Sequence, residues 1–196
     1  MGKFLAIFLL FFLVQCKRVA LHYPEYNSPL RSAENFRLTD QNGKMFDFFE
    51  EIKNKKITIL FFGYSHCPDI CISVLEKLTN VYRRLNNSEK FKVSFIFISI
   101  DPSRDNTKNL KKYGEKYDPN LILLSGDLDS LTRIKSNYKI VAERSESLDS
   151  RRSEGALIHS TNLLWINSKK EILRSIPHQF HPNDLLEEIE HTLNQE

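Results

Sequence analysis

Cysteine, methionine, glycine and tryptophan are scarce in this chain of 196 residues, which contains three, two, six and one of them. Three cysteines are too few for a disulfide scaffold, so each of them needs its own explanation. The composition also excludes a collagen-like or low-complexity chain. No apolar run reaches the roughly 20 residues that a membrane-spanning helix needs, which excludes a multi-span membrane protein.

An excess of one charge sign is missing as well. Lysine and arginine number 28 against 25 acidic residues, for a net charge of +3. The short basic runs at 53–56, 83–84 and 111–112 are interleaved with acids and form no dense basic stripe, so nucleic acid is not expected as a partner. With 41% hydrophobic and 27% charged residues, the body is predicted to be one globular domain of ordinary size.

The N-terminus has the pattern of a targeting segment. Lys3 is followed by an uninterrupted apolar run at 4–14, a length typical of a secretory signal peptide. The run ends just before Cys16 and resembles the lipobox of bacterial lipoproteins, although Gln15 stands where a small residue is usual. We therefore predict a lipoprotein-type signal peptide at 1–15 with lipid on Cys16. The alternative is an uncleaved anchor that happens to end in cysteine.

Either interpretation places the body outside the cytoplasm, on the periplasmic side, and attaches it to a membrane. Residues 16–33 contain Pro24 and Pro29 and show no sustained periodicity. They are predicted to form a flexible tether, followed by one folded domain at 34–196.

Within that domain, apolar runs and helical spacings alternate. Strands are predicted at 36–39, 45–46, 57–62, 93–100, 121–124, 163–166 and 172–176, and helices at 74–85, 107–117, 127–138 and 182–193. Alternating strands and helices favour a mostly parallel sheet covered on both faces.

The sequence Asn42-Gly43 adds an N-terminal β-hairpin, and an antiparallel hairpin followed by a helix closes the chain. We therefore predict an α/β fold of thioredoxin-like layout, with a central mixed sheet flanked by helices. The polar segment 143–155 is predicted to be an exposed loop.

Cys67 and Cys71 lie between the strand 57–62 and the next helix. A cysteine at a helix N-terminus is favoured as thiolate by the helix dipole and by unpaired backbone N–H groups. Pro68 suits the first helical position. Residues four apart lie on one face of a helix, about 6 Å apart.

Three interpretations of this pair stay open. The first is a structural disulfide, because the predicted compartment is oxidising. The second is a redox-active dithiol in which Cys67 attacks and Cys71 resolves. The third is a soft-metal site, because two thiolates favour Cu(I) and also tolerate zinc.

A soft-metal site would need a third ligand. The candidates are His22, His66, His159, His178, His181, His191 and Met45. His66 adjoins Cys67, but neighbouring side chains diverge. His159 precedes the strand 163–166, and in thioredoxin-like folds the loop before that strand faces the N-terminus of the first helix. It is therefore the favoured candidate, with a loop histidine bonded to backbone as the alternative.

Three motifs in order resemble those of the Sco/SenC family of copper chaperones. They are Phe62-Gly63-Tyr64-Ser65-His66-Cys67-Pro68-Asp69-Ile70-Cys71, Ser99-Ile100-Asp101-Pro102-Ser103-Arg104-Asp105 and His159-Ser160-Thr161. The resemblance runs from about residue 36 to the C-terminus. It implies a thioredoxin-like domain that binds one copper ion, as Cu(I) or Cu(II), and delivers it to the Cu(A) centre of cytochrome c oxidase.

Carried over by position, the resemblance gives Cys67, Cys71 and His159 as the copper ligands. Asp69 and Asp101 match acidic positions of the motifs and are expected to support the site or to contact a partner, because carboxylate is a hard ligand for soft copper. Ile72 departs from the proline that the family commonly has there, a change that should not affect the ligands.

The leading interpretation is thus a membrane-tethered copper metallochaperone rather than an enzyme. Its expected partners are the cytochrome c oxidase subunit carrying Cu(A), other copper chaperones or thiol reductases, and the membrane through the N-terminal lipid. The alternative is an extracytoplasmic thiol–disulfide oxidoreductase that reduces an acceptor's cysteines and needs no His159. A peroxide-reducing relative on the same fold is a third possibility.

Overall fold

The computed structural model describes residues 31–144 and 157–195. Its strands are Arg31–Ser32 (β1), Arg37–Asp40 (β2), Met45–Asp47 (β3), Ile57–Gly63 (β4), Val93–Ser99 (β5), Ile122–Ser125 (β6), Ala142–Arg144 (β7), Leu157–His159 (β8), Leu163–Asn167 (β9) and Glu171–Ile176 (β10). Its helices are Phe48–Glu51 (α1), Ile70–Arg84 (α2), Asn87–Lys92 (α3), Thr107–Gly114 (α4), Leu128–Asn137 (α5) and Pro182–Asn194 (α6).

Strands β4 and β5 form the centre of the molecule. Every residue in both strands is buried, as expected for continuous apolar runs that are covered on both faces. They pair in parallel from Ile57 opposite Val93 to Gly63 opposite Ser99. Both strands therefore end at the same edge of the sheet, and the loops that follow them lie side by side.

The main sheet is mixed, and the predicted fold class is confirmed. In the described part of the chain its strand order is β1-β10-β9-β4-β5-β6-β2-β3. Among these strands only the β4–β5 and β5–β6 pairs are parallel. The expectation of a mostly parallel sheet is wrong, because β9 enters beside β4 from the opposite direction and β2 pairs antiparallel with β6. Helix α2 packs against α6, and α4 packs against β6.

The N-terminal boundary of the domain differs slightly from the prediction. Arg31 and Ser32 pair with β10, and Ala33 is buried in the core. Residues 31–33, which the sequence assigned to the tether, thus contact the main sheet and the core. The predicted signal peptide at 1–15 and the predicted lipid attachment at Cys16 lie outside the described residues. Within the described ranges, no helix combines the length and apolar character needed to cross a membrane.

Strands β7 and β8 form a separate two-stranded ribbon. They pair antiparallel, with Ala142 opposite His159 and Arg144 opposite Leu157. The exposed-loop prediction for 143–155 is wrong at its first two residues, which belong to β7. The remainder, 145–155, lies outside the described residues. Strands of three residues are too short to show a sequence period, so neither was predicted.

Candidate metal centre

Helix α2 begins beside the end of β4, and its N-terminus holds both cysteines. The helix starts at Ile70 with Asp69 as its N-cap, so Pro68 precedes the cap and is not the first helical residue. The Asp69 side chain makes no capping hydrogen bond. Instead, the backbone N–H of Cys71 donates to Cys67 Sγ at 3.4 Å. The sulfur of Cys67 therefore occupies the place that a capping oxygen takes in most helices.

His159 is the last residue of β8, and the ribbon brings it to the cysteines. Its Nε2 lies 3.9 Å from Cys71 Sγ, and its Nδ1 lies 2.8 Å from the carbonyl oxygen of Ser160. Because a carbonyl only accepts, Nδ1 donates to it, and Nε2 is the ring nitrogen that faces the sulfur. The ring also meets Tyr64 edge-on, with ring centroids 5.7 Å apart.

The two sulfurs and the imidazole nitrogen form a compact donor set. One ligand atom from each of Cys67, Cys71 and His159 lies within 4.8 Å of the others. In a trigonal site with bonds of about 2.0–2.3 Å, the lengths known for zinc, ligand atoms lie about 3.7 Å apart. The three side chains therefore need to approach by only about 1 Å to hold one ion. Two sulfurs and one imidazole suit a soft cation.

The two cysteines differ in protonation. The pKa of Cys67 is lowered to about 4, mainly because the Cys71 thiol donates a hydrogen bond to its sulfur. Burial opposes this shift, and hydrogen bonds from His159 and from the backbone amides of Cys71 and Asp69 add to it. The pKa of Cys71 is raised well above its ordinary range, mainly because its thiol proton is held in the hydrogen bond to Cys67. Burial and the negative charge of Cys67 raise it further. In the reduced protein Cys67 is therefore the thiolate, and Cys71 is the thiol.

This asymmetry predicts the pH dependence of alkylation. In the reduced, metal-free protein, iodoacetamide should modify Cys67 at a rate that is half-maximal near pH 4 and level above about pH 6. Cys71 should stay unmodified while the fold is intact. Mass spectrometry of peptides after timed alkylation measures both rates. In denaturant both thiols should titrate near their ordinary value of about 8.5, and an equally high midpoint in the folded protein would contradict the assignment.

The predicted acidic residues Asp69 and Asp101 lie in different surroundings. Asp69 is exposed at the helix start. Asp101 is buried and accepts from Ser103 Oγ at 2.6 Å and from Arg104 Nε at 2.5 Å. The Arg104 guanidinium lies over the Tyr64 ring, 5.9 Å from its centroid. Asp101 thus connects to His159 through two intervening side chains.

Asp105 is the supporting residue that the sequence analysis missed. It is fully buried, and its Oδ2 accepts from the Ser65 backbone N–H at 2.9 Å and from Ser99 Oγ at 2.6 Å. Its Oδ1 accepts from the Ser65 hydroxyl, and its backbone carbonyl accepts from the Ser125 hydroxyl. One carboxylate therefore joins the loop between β4 and α2, residues 64–69 and here called the cysteine loop, to the end of β5. Its negative charge also contributes to the raised pKa of Cys71.

Gly63 leaves the space that the Cys71 sulfur occupies. A Cβ at this position would lie 2.8 Å from Cys71 Sγ and 2.8 Å from Phe97 Cε2, closer than such atoms pack. Glycine is therefore required here by close approach.

Gly63→Ala is expected to destabilise the reduced protein by about 1–3 kcal/mol, the usual cost of overpacking a core, and to displace Cys71 Sγ. Urea denaturation measures the free energy of unfolding. Gly114→Ala is the matched control, because the nearest atom to its added Cβ is a mobile Leu123 methyl at 3.3 Å. Equal effects of the two substitutions would contradict the packing argument.

Comparisons with known proteins show the family of this chain. A family model described as SCO1/SenC matches residues 24–194. Protein SCO2, mitochondrial, of Saccharomyces cerevisiae is 34% identical over 79% of this chain, and the match covers 50% of the yeast protein. SCO2-like protein RT0576 of Rickettsia typhi is 33% identical over 63% of this chain and 60% of its own length. The chain thus spans only half to three-fifths of these relatives.

Solved structures show the same fold. The structure of Bradyrhizobium japonicum ScoI with copper bound has a TM-score of 0.73 and 29% identity, covering 83% of this chain and 99% of that one. BsSco, described as a member of the Sco family of cytochrome c oxidase assembly proteins, has a TM-score of 0.68 at 20% identity, over 88% of this chain and 99% of its own. The fold and the Cys–Cys–His group define a thioredoxin-like protein with a soft-metal type of site. The chain belongs to the SCO1/SenC family.

Proposed function

We propose that this protein is a membrane-tethered copper metallochaperone that delivers copper to the Cu(A) centre of cytochrome c oxidase during assembly. The observation that carries the proposal is the convergence of Cys67, Cys71 and His159 within 4.8 Å. These are the proposed copper ligands. Copper is the protein's cargo, so its function is binding and release rather than turnover.

The donor chemistry favours copper in the +1 state. Thiolate and imidazole are soft to borderline ligands, and two thiolates with one imidazole satisfy a three-coordinate Cu(I) ion. The buried carboxylates nearby are occupied by hydrogen bonds from serine and arginine side chains and so remain in supporting roles. The copper-bound state of ScoI, a relative at 29% identity, supports the same cargo.

Release requires that the ligands be replaced one at a time. Cys71 is fully buried, Cys67 is 7% exposed, and His159 is only partly buried. We infer that an acceptor's ligands displace His159 or Cys67 first and Cys71 last. Both cysteines must be reduced for copper to bind, so the thiol redox state controls loading. A thiol reductase or another copper chaperone is therefore an expected partner.

The proposed location is outside the cytoplasm, on the periplasmic side. The apolar run at 4–14 and Cys16 support a lipid-anchored N-terminus, with residues 16–30 as the tether. A short tether would keep the site close to a membrane-embedded oxidase. BsSco, a member of a family of cytochrome c oxidase assembly proteins, supports that acceptor.

A second candidate function is thiol–disulfide exchange with an acceptor protein. The observation that favours it is the unequal protonation of the cysteines, because the lowered pKa of Cys67 makes it a competent attacking thiolate. Cys71 would then resolve the mixed disulfide. This function makes no use of His159.

A Cu(I) titration of the reduced protein separates the two functions. The chaperone function predicts one equivalent of tightly bound Cu(I) in competition with a chromogenic chelator, and weaker binding in His159→Ala. Insulin reduction and peroxide consumption are measured on the same samples. Weak copper binding that is the same in the wild type and in His159→Ala, combined with sustained insulin reduction, would favour the oxidoreductase. Peroxide turnover that depends on Cys67 and proceeds without copper would favour the peroxidase alternative.

A further inference from the structure

His66 is an exposed histidine next to the proposed copper ligand Cys67. Its side chain is 52% exposed, whereas the next residue, Cys67, is 7% exposed and Cys71 is fully buried. An exposed imidazole therefore stands directly before a buried sulfur ligand, and Pro68 and Asp69 between the two cysteines are exposed as well. His66 does not belong to the compact group formed by the two cysteines and His159.

A chain of hydrogen bonds orients the His66 ring. Asp105 is fully buried, and its carboxylate can only accept, so the Ser65 hydroxyl donates its proton to it. The Ser65 oxygen then accepts from His66 Nδ1, which lies 2.9 Å away and 3.8 Å from Asp105 Oδ1. Nδ1 is therefore the nitrogen engaged with Ser65, and Nε2 is the nitrogen that could bind a metal ion.

Histidines that bind metals commonly have this arrangement, in which one ring nitrogen donates to a supporting group and the other faces the metal. The hydrogen bonds through Ser65 to Asp105 orient the His66 ring in the residue next to the proposed copper ligand Cys67.

We propose that His66 Nε2 is the capture ligand for copper, the first group of this protein to bind the ion as it leaves a donor. The inference rests on the proposed function and deepens it. The step is a ligand exchange without change in oxidation state. A bond from Cu(I) to a donor ligand breaks as the bond to His66 Nε2 forms. The Cys67 thiolate then binds the ion, His66 is released, and Cys71 loses its proton to solvent on binding.

The test measures rate and equilibrium separately. The reduced full chain is mixed with Cu(I) bicinchoninate in a stopped-flow instrument, and the loss of chelator colour gives the rate of uptake. An equilibrium titration with the same chelator gives the affinity. His66→Ala is expected to slow uptake about tenfold, the size of effect that loss of one residue at a metal site causes, with the affinity unchanged within about twofold.

His191→Ala is the matched control, because His191 is also exposed but lies on α6 and bonds to Gln195. It should take up copper at the wild-type rate. Unchanged uptake in His66→Ala, equal slowing in both variants, or a parallel fall of rate and affinity in His66→Ala would each overturn the capture role. If the wild-type chain binds no copper, the proposed function fails as well, so the two failures are distinguishable.

Discussion

Replacing Cys71 by serine is expected to lower the Cu(I) affinity of the reduced protein roughly 100- to 1000-fold. Structural zinc sites with four ligands bind with roughly 10–16 kcal/mol, or about 2.5–4 kcal/mol for each ligand, and 1.4 kcal/mol corresponds to a factor of ten. Serine fills similar space but offers a hard hydroxyl that copper binds poorly. Competition with a high-affinity Cu(I) chelator measures the change.

Two controls accompany this substitution. Cys67→Ser should lose affinity to a similar extent, because it removes the other thiolate. Cys16→Ser, the same exchange at the cysteine assigned to lipid, should leave the affinity at the wild-type value. A Cys71→Ser protein that still binds Cu(I) within about threefold of wild type would show that Cys71 is not a ligand.

Asp105→Ala is expected to destabilise the fold by about 3–5 kcal/mol, because removing a buried acceptor leaves each of its donors unsatisfied at about 1–3 kcal/mol. The donors are the hydroxyls of Ser65 and Ser99 and the backbone N–H of Ser65. The cysteine loop loses its link to the end of β5, so copper affinity should fall as well. Chemical denaturation of the reduced protein measures the free energy of unfolding.

Asp69→Ala is the matched control for this prediction. Asp69 is a carboxylate in the same loop, but it is exposed and makes no capping hydrogen bond. Its loss should change the free energy of unfolding by no more than about 0.5 kcal/mol. If Asp105→Ala were as mild as Asp69→Ala, the hydrogen-bond network would not be what holds the loop in place.

The sequence was sufficient for the parts of the fold that depend on long periodic segments. Uninterrupted apolar runs predicted β4 and β5, and helical spacing predicted α2 and α6, because burial imposes those patterns along many consecutive residues. The ribbon of β7 and β8 was missed, since three residues per strand carry no period. Strand β1 was missed because its two residues are held by pairing with β10, which is distant in the chain.

The residues of the candidate site also differ in how far the sequence alone could predict them. Cys67 and Cys71 were predicted as a site from their spacing, because both lie in one local segment. His159 followed from topology and family resemblance, 88 residues after Cys71. Asp105 was missed although it ends a quoted motif, because its importance comes from contacts such as the one with Ser65, 40 residues away. From the same motif the sequence predicted a role for Asp101, whose carboxylate instead accepts a hydrogen bond from Arg104.

The central claim is that the two cysteines and His159 hold one copper ion together. X-ray absorption at the copper edge of the Cu(I)-loaded protein tests it directly, because the spectrum reports the number of sulfur and nitrogen ligands. The claim predicts two sulfurs and one imidazole nitrogen in the wild type, and two sulfurs without the imidazole in His159→Ala. Two sulfurs alone in the wild type, with an unchanged spectrum in His159→Ala, would contradict it.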